Sequence, residues 1–361
     1  MITQQIVDPS KIESELLRIW DELAKANKMR ASLFNLIVFN ELSTRTDYFR
    51  TIVQKIIDRF PCRVLFISHD PDRAKSYLKT AISVIAPEGQ NLIACDNIDI
   101  GIAGSEWERA FSLVLPHIVP DLPIYLLWAD DPAKKHPLFE KLCSLADRVI
   151  FDSESSDCLY DFAQAAIRLK EEQKMHVADL NWARLEGWRD LLASLFGAKD
   201  RLEDLHGIEE IRIIFNAKPT EFFCHLKIQS MYLVALFASR LSWKLKNAKE
   251  KKGVFHFSFE GGIEAIIEPT VWETLGSGTV IAVEIKTKSE TCYSLARMPQ
   301  AKHQAAIQIV SKDRCDLPVR YMLGKTASGQ SLVREIFQQG TSAFFLEALQ
   351  QLLILDKKKL C

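Results

Sequence analysis

His69, Asp130 and Asp152 are the residues that type and spacing single out as able to engage a ligand. Each follows a short apolar run: CRVLFIS ends at Ser68, PIYLLW at Trp128 and RVIF at Phe151. Such runs suit strands buried on both faces. An α/β sheet places its ligand crevice outside the carboxyl ends of its strands. One imidazole and two carboxylates gathered there could serve a sugar phosphate or a nucleotide. Polar loops must also begin at that edge in any parallel sheet, so the same residues are equally ordinary strand ends.

Other chemistries find less support. There is no G-x-G-x-x-G; the nearest match is Gly101-Ile-Ala-Gly104-Ser105, after a strand and before a helix. Free N–H groups at that helix start could hold a phosphate, but one glycine pair also makes a tight turn with Ser105 as cap. Leu323-Gly-Lys-Thr326 fails as a phosphate loop, because Val319 stands where its first glycine is needed. No G-x-S-x-G occurs, and Cys224-His225 are neighbours by chance. The eight cysteines are scattered, without a C-x-x-C pair or a histidine cluster at metal spacing. They read as buried free thiols, in keeping with a reducing cytoplasm. No catalytic, cofactor-binding or metal-binding residue is assigned.

The elements that would carry these residues alternate strand and helix through the first half. Pro9 and Ser10 open a helix, with Ser10 and Glu13 as a capping box. Ile12, Leu16, Ile19, Trp20 and Leu23 give it an apolar stripe. Strands follow at 32–39, 62–68, 78–87, 92–102, 123–128 and 148–151, and helices at 45–59, 106–118, 137–145, 157–174 and 180–196. The expected fold is an α/β domain over 1–198 with a largely parallel, Rossmann-like sheet. The second half differs. Strand 211–215 and a long helix 226–245 precede consecutive strands at 254–260, 263–268, 280–286, 292–298 and 305–310. Gly261-Gly262 marks a hairpin, and helix 330–355 closes the chain. This predicts an α+β domain over 207–361 with a mainly antiparallel sheet. The lysine run Lys244–Lys252 reads as the long helix continuing into solvent, where it could also dock an acidic partner.

The chain has 361 residues, 48% hydrophobic and 26% charged, with a formal net charge of −1. Two domains are expected at that length. A balanced charge predicts neither a nucleic-acid nor a membrane partner. The first residues, MITQQIVDPSKIESELLRIW, lack the basic-then-apolar pattern of a signal peptide, and the longest apolar run, Met231 to Ala238, is far below the ~20 residues of a membrane span. A soluble cytoplasmic chain is therefore expected.

One segment raises a different possibility. In DLNWARLEGWRDLLASLF, Asp179 to Phe196, the residues Trp182, Leu185, Trp188, Leu192, Leu195 and Phe196 share half a helical wheel. That face either packs on a core or binds a partner. Tryptophan and arginine are enriched in interface hot spots, and Arg184 and Arg189 border it. The Asp-Leu-Asn-Trp182-x-Arg184-Leu-x-x-Trp188-Arg189 pattern resembles a hallmark of the OpcA family, the glucose-6-phosphate dehydrogenase assembly proteins of bacteria. Arg30-Ala-Ser-Leu-Phe-Asn35-Leu-Ile-Val is similar too. So is Leu122-Pro123-Ile-Tyr-Leu-Leu-Trp128, followed by Ala146-Asp147-Arg148-Val-Ile-Phe-Asp152-Ser153. The likeness covers about residues 28–196. One departure is Leu127, where the family often pairs a second tryptophan with that of Trp128. Tyr321 and its neighbours echo the dehydrogenase's own His-Tyr-Leu-Gly-Lys pattern only loosely. The resemblance implies a non-catalytic cytoplasmic partner of glucose-6-phosphate dehydrogenase, without a cofactor, acting in the oxidative pentose phosphate pathway. Trp182, Arg184, Trp188, Arg189 and Trp128 would be its partner-binding candidates. The alternative is a sugar-phosphate- or nucleotide-binding sensor or enzyme working at His69, Asp130 and Asp152.

Overall fold

The computed structural model describes residues 4–43, 45–87, 92–221, 225–313, 315–323 and 340–355. Contacts group the chain into two compact units. The first comprises Met1–Asp152, Leu169–Asp179 and Ser328–Gly340; the second comprises Ser153–Arg168, Leu180–Ala327 and Thr341–Cys361. The two-tryptophan segment thus lies in the second.

In chain order the first part runs β1 (Gln5–Val7), α1 (Ile12–Lys25), β2 (Met29–Arg30), β3 (Asn35–Glu41), α2 (Thr46–Ile57), β4 (Arg63–Asp70) and β5 (Tyr77–Ile85). It continues β6 (Ile93–Ala103), α3 (Trp107–Val114), β7 (Ile124–Trp128), α4 (Pro137–Cys143), β8 (Arg148–Phe151), α5 (Leu159–Glu172) and β9 (His176–Asp179). The nine-stranded sheet has the order β1-β5-β6-β4-β3-β7-β8-β9, with β2 beside β6. From β6 to β9 every pairing is parallel, and β5 and β1 add antiparallel edges. The parallel strands follow the doubly wound order 3-2-1-4-5-6, with β3 as strand one. Central strands read as continuous apolar runs because both faces are covered: Leu36 to Phe39 are fully buried.

Helix α1 buries the stripe its periodicity predicts. Its start differs from expectation. Asp8 accepts from Ser10 N and caps a short 3-10 turn, so Ser10 is not the cap. Trp20 Nε1 donates to Asp96, 2.7 Å away, and Arg30 and Arg63 pair with the same carboxylate, fixing α1 to the amino edge of the sheet. Ser105 likewise does not cap α3; Glu106 stands at its start without a side-chain bond.

The second part runs α6 (Leu180–Arg184), α7 (Glu186–Phe196), α8 (Lys199–His206), β10 (Ile208–Asn216), α9 (Ile228–Arg240), β11 (Leu245–Lys251), β12 (Val254–Phe259) and β13 (Glu264–Thr270). It ends β14 (Val280–Thr287), β15 (Cys292–Met298), β16 (Ala301–Val310), β17 (Val319–Met322) and α10 (Ala343–Leu355). The eight-stranded sheet has the order β11-β12-β13-β10-β14-β15-β16-β17. Only β10 with β13 is parallel. One face buries Phe257, Ile267, Ile213, Val283 and Leu295. Gly261 and Gly262 take φ of 81° and 77° in the β12–β13 hairpin, a conformation costly for any residue with a Cβ.

The lysine run corrects the sequence reading. Residues 244–252 do not prolong α9, which ends at Arg240; they form edge strand β11 and its turn. Lysines on a sheet edge discourage pairing with another strand. The thiol reading also needs amendment. Cys62, Cys95 and Cys143 are buried and free, Cys292 and Cys315 are exposed and free, and Cys158 is disulfide-bonded. Apart from Leu323 and His225, the Leu323–Thr326 and Cys224-His225 segments lie outside the described residues.

Candidate functional site

The point where strand order reverses lies between β3 and β7. A doubly wound sheet opens its ligand crevice there. The register sets Phe39 opposite Trp128, and their rings stack 4.0 Å apart at 6°. His136, in the loop before α4, lies 4.9 Å from Phe39 and 5.4 Å from Trp128, ring centre to ring centre. His69, at the end of β4, meets His136 edge-on at 5.7 Å. Two histidines and two larger rings thus fill the mouth of the crevice.

Its electrostatics follow from burial. Asp130 is 7% exposed, and burial pushes its carboxyl up to about 6. The Asp131 N–H that its Oδ1 accepts at 2.7 Å opposes that shift, while Glu41 reinforces it. Burial pushes His136 down to about 4, with His69 adding to the effect. Its Nδ1 accepts from Leu138 N at 3.2 Å and caps α4, so the neutral ring carries its proton on Nε2. Asp152 is fully buried and ion-paired to Arg45, the residue before α2. His69 Nδ1 and Trp128 Nε1 are buried with no hydrogen-bond partner among the described residues. The structure thus brings His69 and Asp130 to one edge as expected and directs Asp152 to Arg45. His136, Glu41 and Arg45 were not singled out from sequence; for His136 the His-Pro step opening a helix was the available signal.

A dinucleotide does not fit this edge. Its pyrophosphate needs a glycine turn and free N–H groups at the first helix. The sequence from Phe39 to Phe60 has no glycine, and Arg45 with Asp152 closes on the start of α2. Among the described residues, no group of three or more His, Cys, Asp or Glu is set to hold a metal.

The tryptophan segment is interior. Trp182 is 2% exposed and Trp188 1%, so of the two alternatives their shared face packs on a core; Trp128, at 1%, is buried as well. Trp182 meets Tyr232 edge-on and Phe345 at a tilt, both at 5.6 Å. Arg189 lies 4.1 Å above the Trp182 ring and Arg297 5.5 Å above that of Trp188. Arg184 donates to Asn181 Oδ1 at 2.6 Å and pairs with buried Glu154 at 3.3 Å; Asn181 donates to Ser153. The helix breaks between α6 and α7. A Cβ on Gly187 would stand 2.0 Å from the Leu323 carbonyl oxygen, so only glycine admits that approach.

Residues 53–168 match the glucose-6-phosphate dehydrogenase subunit N-terminal domain of the OpcA type, and residues 175–349 match the corresponding C-terminal domain. The chain is 26% identical over 199 residues to the OxPP cycle protein OpcA of Synechocystis, covering 54% of this chain and 40% of that protein. It is 28% identical over 191 residues to the OpcA of Synechococcus elongatus, covering 51% and 40%. The chain thus aligns with 40% of the length of these curated relatives. Among solved structures, the UDP-N-acetylglucosamine 3-dehydrogenase of Acidithiobacillus ferrooxidans superposes with a TM-score of 0.52 at 8% identity, covering 91% of this chain and 97% of that one. A levoglucosan dehydrogenase in complex with NADH and L-sorbose gives 0.50 at 11% identity, covering 91% and 98%. Identities this low speak for the fold alone. No helix among the described residues is long and apolar enough to cross a membrane.

Proposed function

Because the chain belongs to the OpcA family of glucose-6-phosphate dehydrogenase assembly proteins, we propose that it binds that dehydrogenase and favours its active assembly without performing chemistry itself. The observation that carries this reading is the family match across both halves of the chain. The ring-filled crevice supports it, because it withholds the dinucleotide that the dehydrogenase fold normally holds. The mechanism needs only differential affinity. Tighter binding to the active form by ~1–3 kcal/mol shifts the population about 5–150-fold. Trp182, Trp188 and Trp128 act in this reading as interior supports. Arg184 and Arg189, half-buried, are members of the candidate set that a partner can touch. The setting is the cytoplasm of a bacterium.

A titration into the organism's own dehydrogenase tests this. The NADP reduction rate should rise to saturation, the two proteins should co-migrate, and the added chain alone should reduce no NADP. Unchanged kinetics without co-migration would defeat the proposal.

A second reading is favoured by one observation: His69 Nδ1 and Trp128 Nε1 are buried donors or acceptors without partners at the edge that holds Asp130. A small polar molecule such as a sugar phosphate would satisfy them. Thermal shift with sugar phosphates, wild type against Asp130→Asn, separates the readings.

A further inference from the structure

The second sheet has one covered face and one bare face. Along β10, Ile211, Ile213 and Phe215 are buried, whereas Glu210, Arg212 and Ile214 on the other side are half-exposed. A similar alternation runs through β12, β13 and β15, with His256, Lys286 and Cys292 exposed on the bare side, while Ala282 on that side of β14 is 5% exposed. We propose that this bare face is a self-complementary interface that takes a second copy of the chain.

The pairing register carries the inference. Four strands lie on each side of the midline between β10 and β14. Across that midline Glu210 stands opposite Lys286, Arg212 opposite Glu284, and Ile214 opposite Ala282. Every charge near the midline is therefore mirrored by its opposite. A twofold axis parallel to the strands and lying on that line would set β10 of one copy over β14 of the other. Arg212 would then face the second copy's Glu284, Glu210 would face its Lys286, and Ile214 would face its Ala282. Each contact occurs twice, as an isologous interface demands.

The next strands outward extend the match. β13 would cover the second copy's β15, setting Glu268 and Ile266 over Ala296 and Ser294, with no like charges opposed. Ala282, Ala296 and Ala306 lie in one row across three strands and leave room for the second sheet. Only at the outer corner would Lys251 approach Arg320, and sheet twist carries corners apart in aligned packing. The existing pairs, Lys286 with Glu210 at 3.3 Å and Arg212 with Glu210 and Glu268 at 3.4 and 3.6 Å, hold the side chains in this pattern. Eight strands about 4.8 Å apart and roughly seven residues long offer about 800–900 Å² per copy, close to the size of a standard stable interface.

Sedimentation velocity on the full chain, without other proteins, tests the proposal. Wild type should sediment as a dimer. Ala296→Glu puts a long anion into the row of small residues, opposite the second copy's Glu268, and should weaken the dimer about 10-fold or more while leaving circular dichroism unchanged. Arg212→Glu should weaken it as well, and Arg212→Glu combined with Glu284→Arg should restore it. A wild-type chain monomeric at ~50 μM, well above the μM dissociation constants open to interfaces of this size, would overturn the proposal. So would a dimer indifferent to Ala296→Glu, or a monomer whose bare face is instead required for a different protein. The proposal does not depend on the dehydrogenase reading, since no dehydrogenase is present in the experiment.

Discussion

The carboxyl edge of the parallel sheet and the bare face of the antiparallel sheet answer the same physical demand in opposite ways. At the edge, the chain fills its own crevice: Phe39, Trp128, His69 and His136 pack together, and Arg45 neutralises Asp152. On the bare face nothing is filled, and the charges alternate at half exposure. In a fold whose relatives include dehydrogenases, the place suited to chemistry has been given to internal packing. The place suited to contact has been left open.

The largest effect should come from the interior. Trp188→Ala removes a fully buried ring and the surface beneath the buried Arg297 guanidinium, and should cost about 3–5 kcal/mol in urea unfolding. A loss under about 1 kcal/mol would mean that the tryptophan helix is not the support described here.

Next comes the filled edge. Asp152→Ala removes the buried carboxylate that pairs with Arg45 and should cost about 3 kcal/mol. It should nevertheless yield no saturable quenching of NADPH fluorescence, because the ring stack and the glycine-free turn remain. Binding gained by that one change would erase the contrast between the two regions.

A pH series sharpens it further. Asp130 has a folded value near 6 against an ordinary 3.8. Its contribution favours the fold below about pH 4 and is lost as pH rises through about 6. Asp130→Asn should therefore gain on the order of 2–3 kcal/mol over wild type at pH 7.5, and that gain should vanish near pH 4. His136 runs the other way. With its value lowered from 6.5 to about 4, it supports the fold above 6.5 and withdraws that support as pH falls through about 4. His136→Asn, which keeps a capping acceptor, should flatten the acid limb of the stability curve. The smallest effect belongs to the bare face. Ala296→Glu should change monomer stability by less than about 0.5 kcal/mol, and read out only in association.

Much of this was legible in sequence, for reasons that also explain the gaps. Strand β3 and its neighbours announce themselves because burial on both faces demands unbroken apolar residues. The glycine pair at 261–262 names its turn because few residues accept positive φ. Helical periodicity placed both tryptophans on one face, yet it could not distinguish a face turned inward from one offered to a partner. Burial settles that. Strand β9, only four residues long, carries too little pattern to stand out, and the lysines of β11 mimic a solvated helix end. At the carboxyl edge, position in the sheet found His69, Asp130 and Asp152. The ion pair of Asp152 with Arg45 spans 107 residues of sequence and depends on topology that no local spacing encodes.

The chain does not finish one unit before starting the other. Residues up to Asp152 build the first, 153–168 join the second, and 169–179 return to supply β9. During synthesis, then, the stretch 153–168 emerges long before the strands that will shelter it. A fragment cut at residue 198 would carry the buried Ser156 without His225, whose ring meets its carbonyl oxygen. The two blocks of the family comparison, 53–168 and 175–349, therefore do not coincide with the two compact units, and a chain cut between the blocks would divide both units.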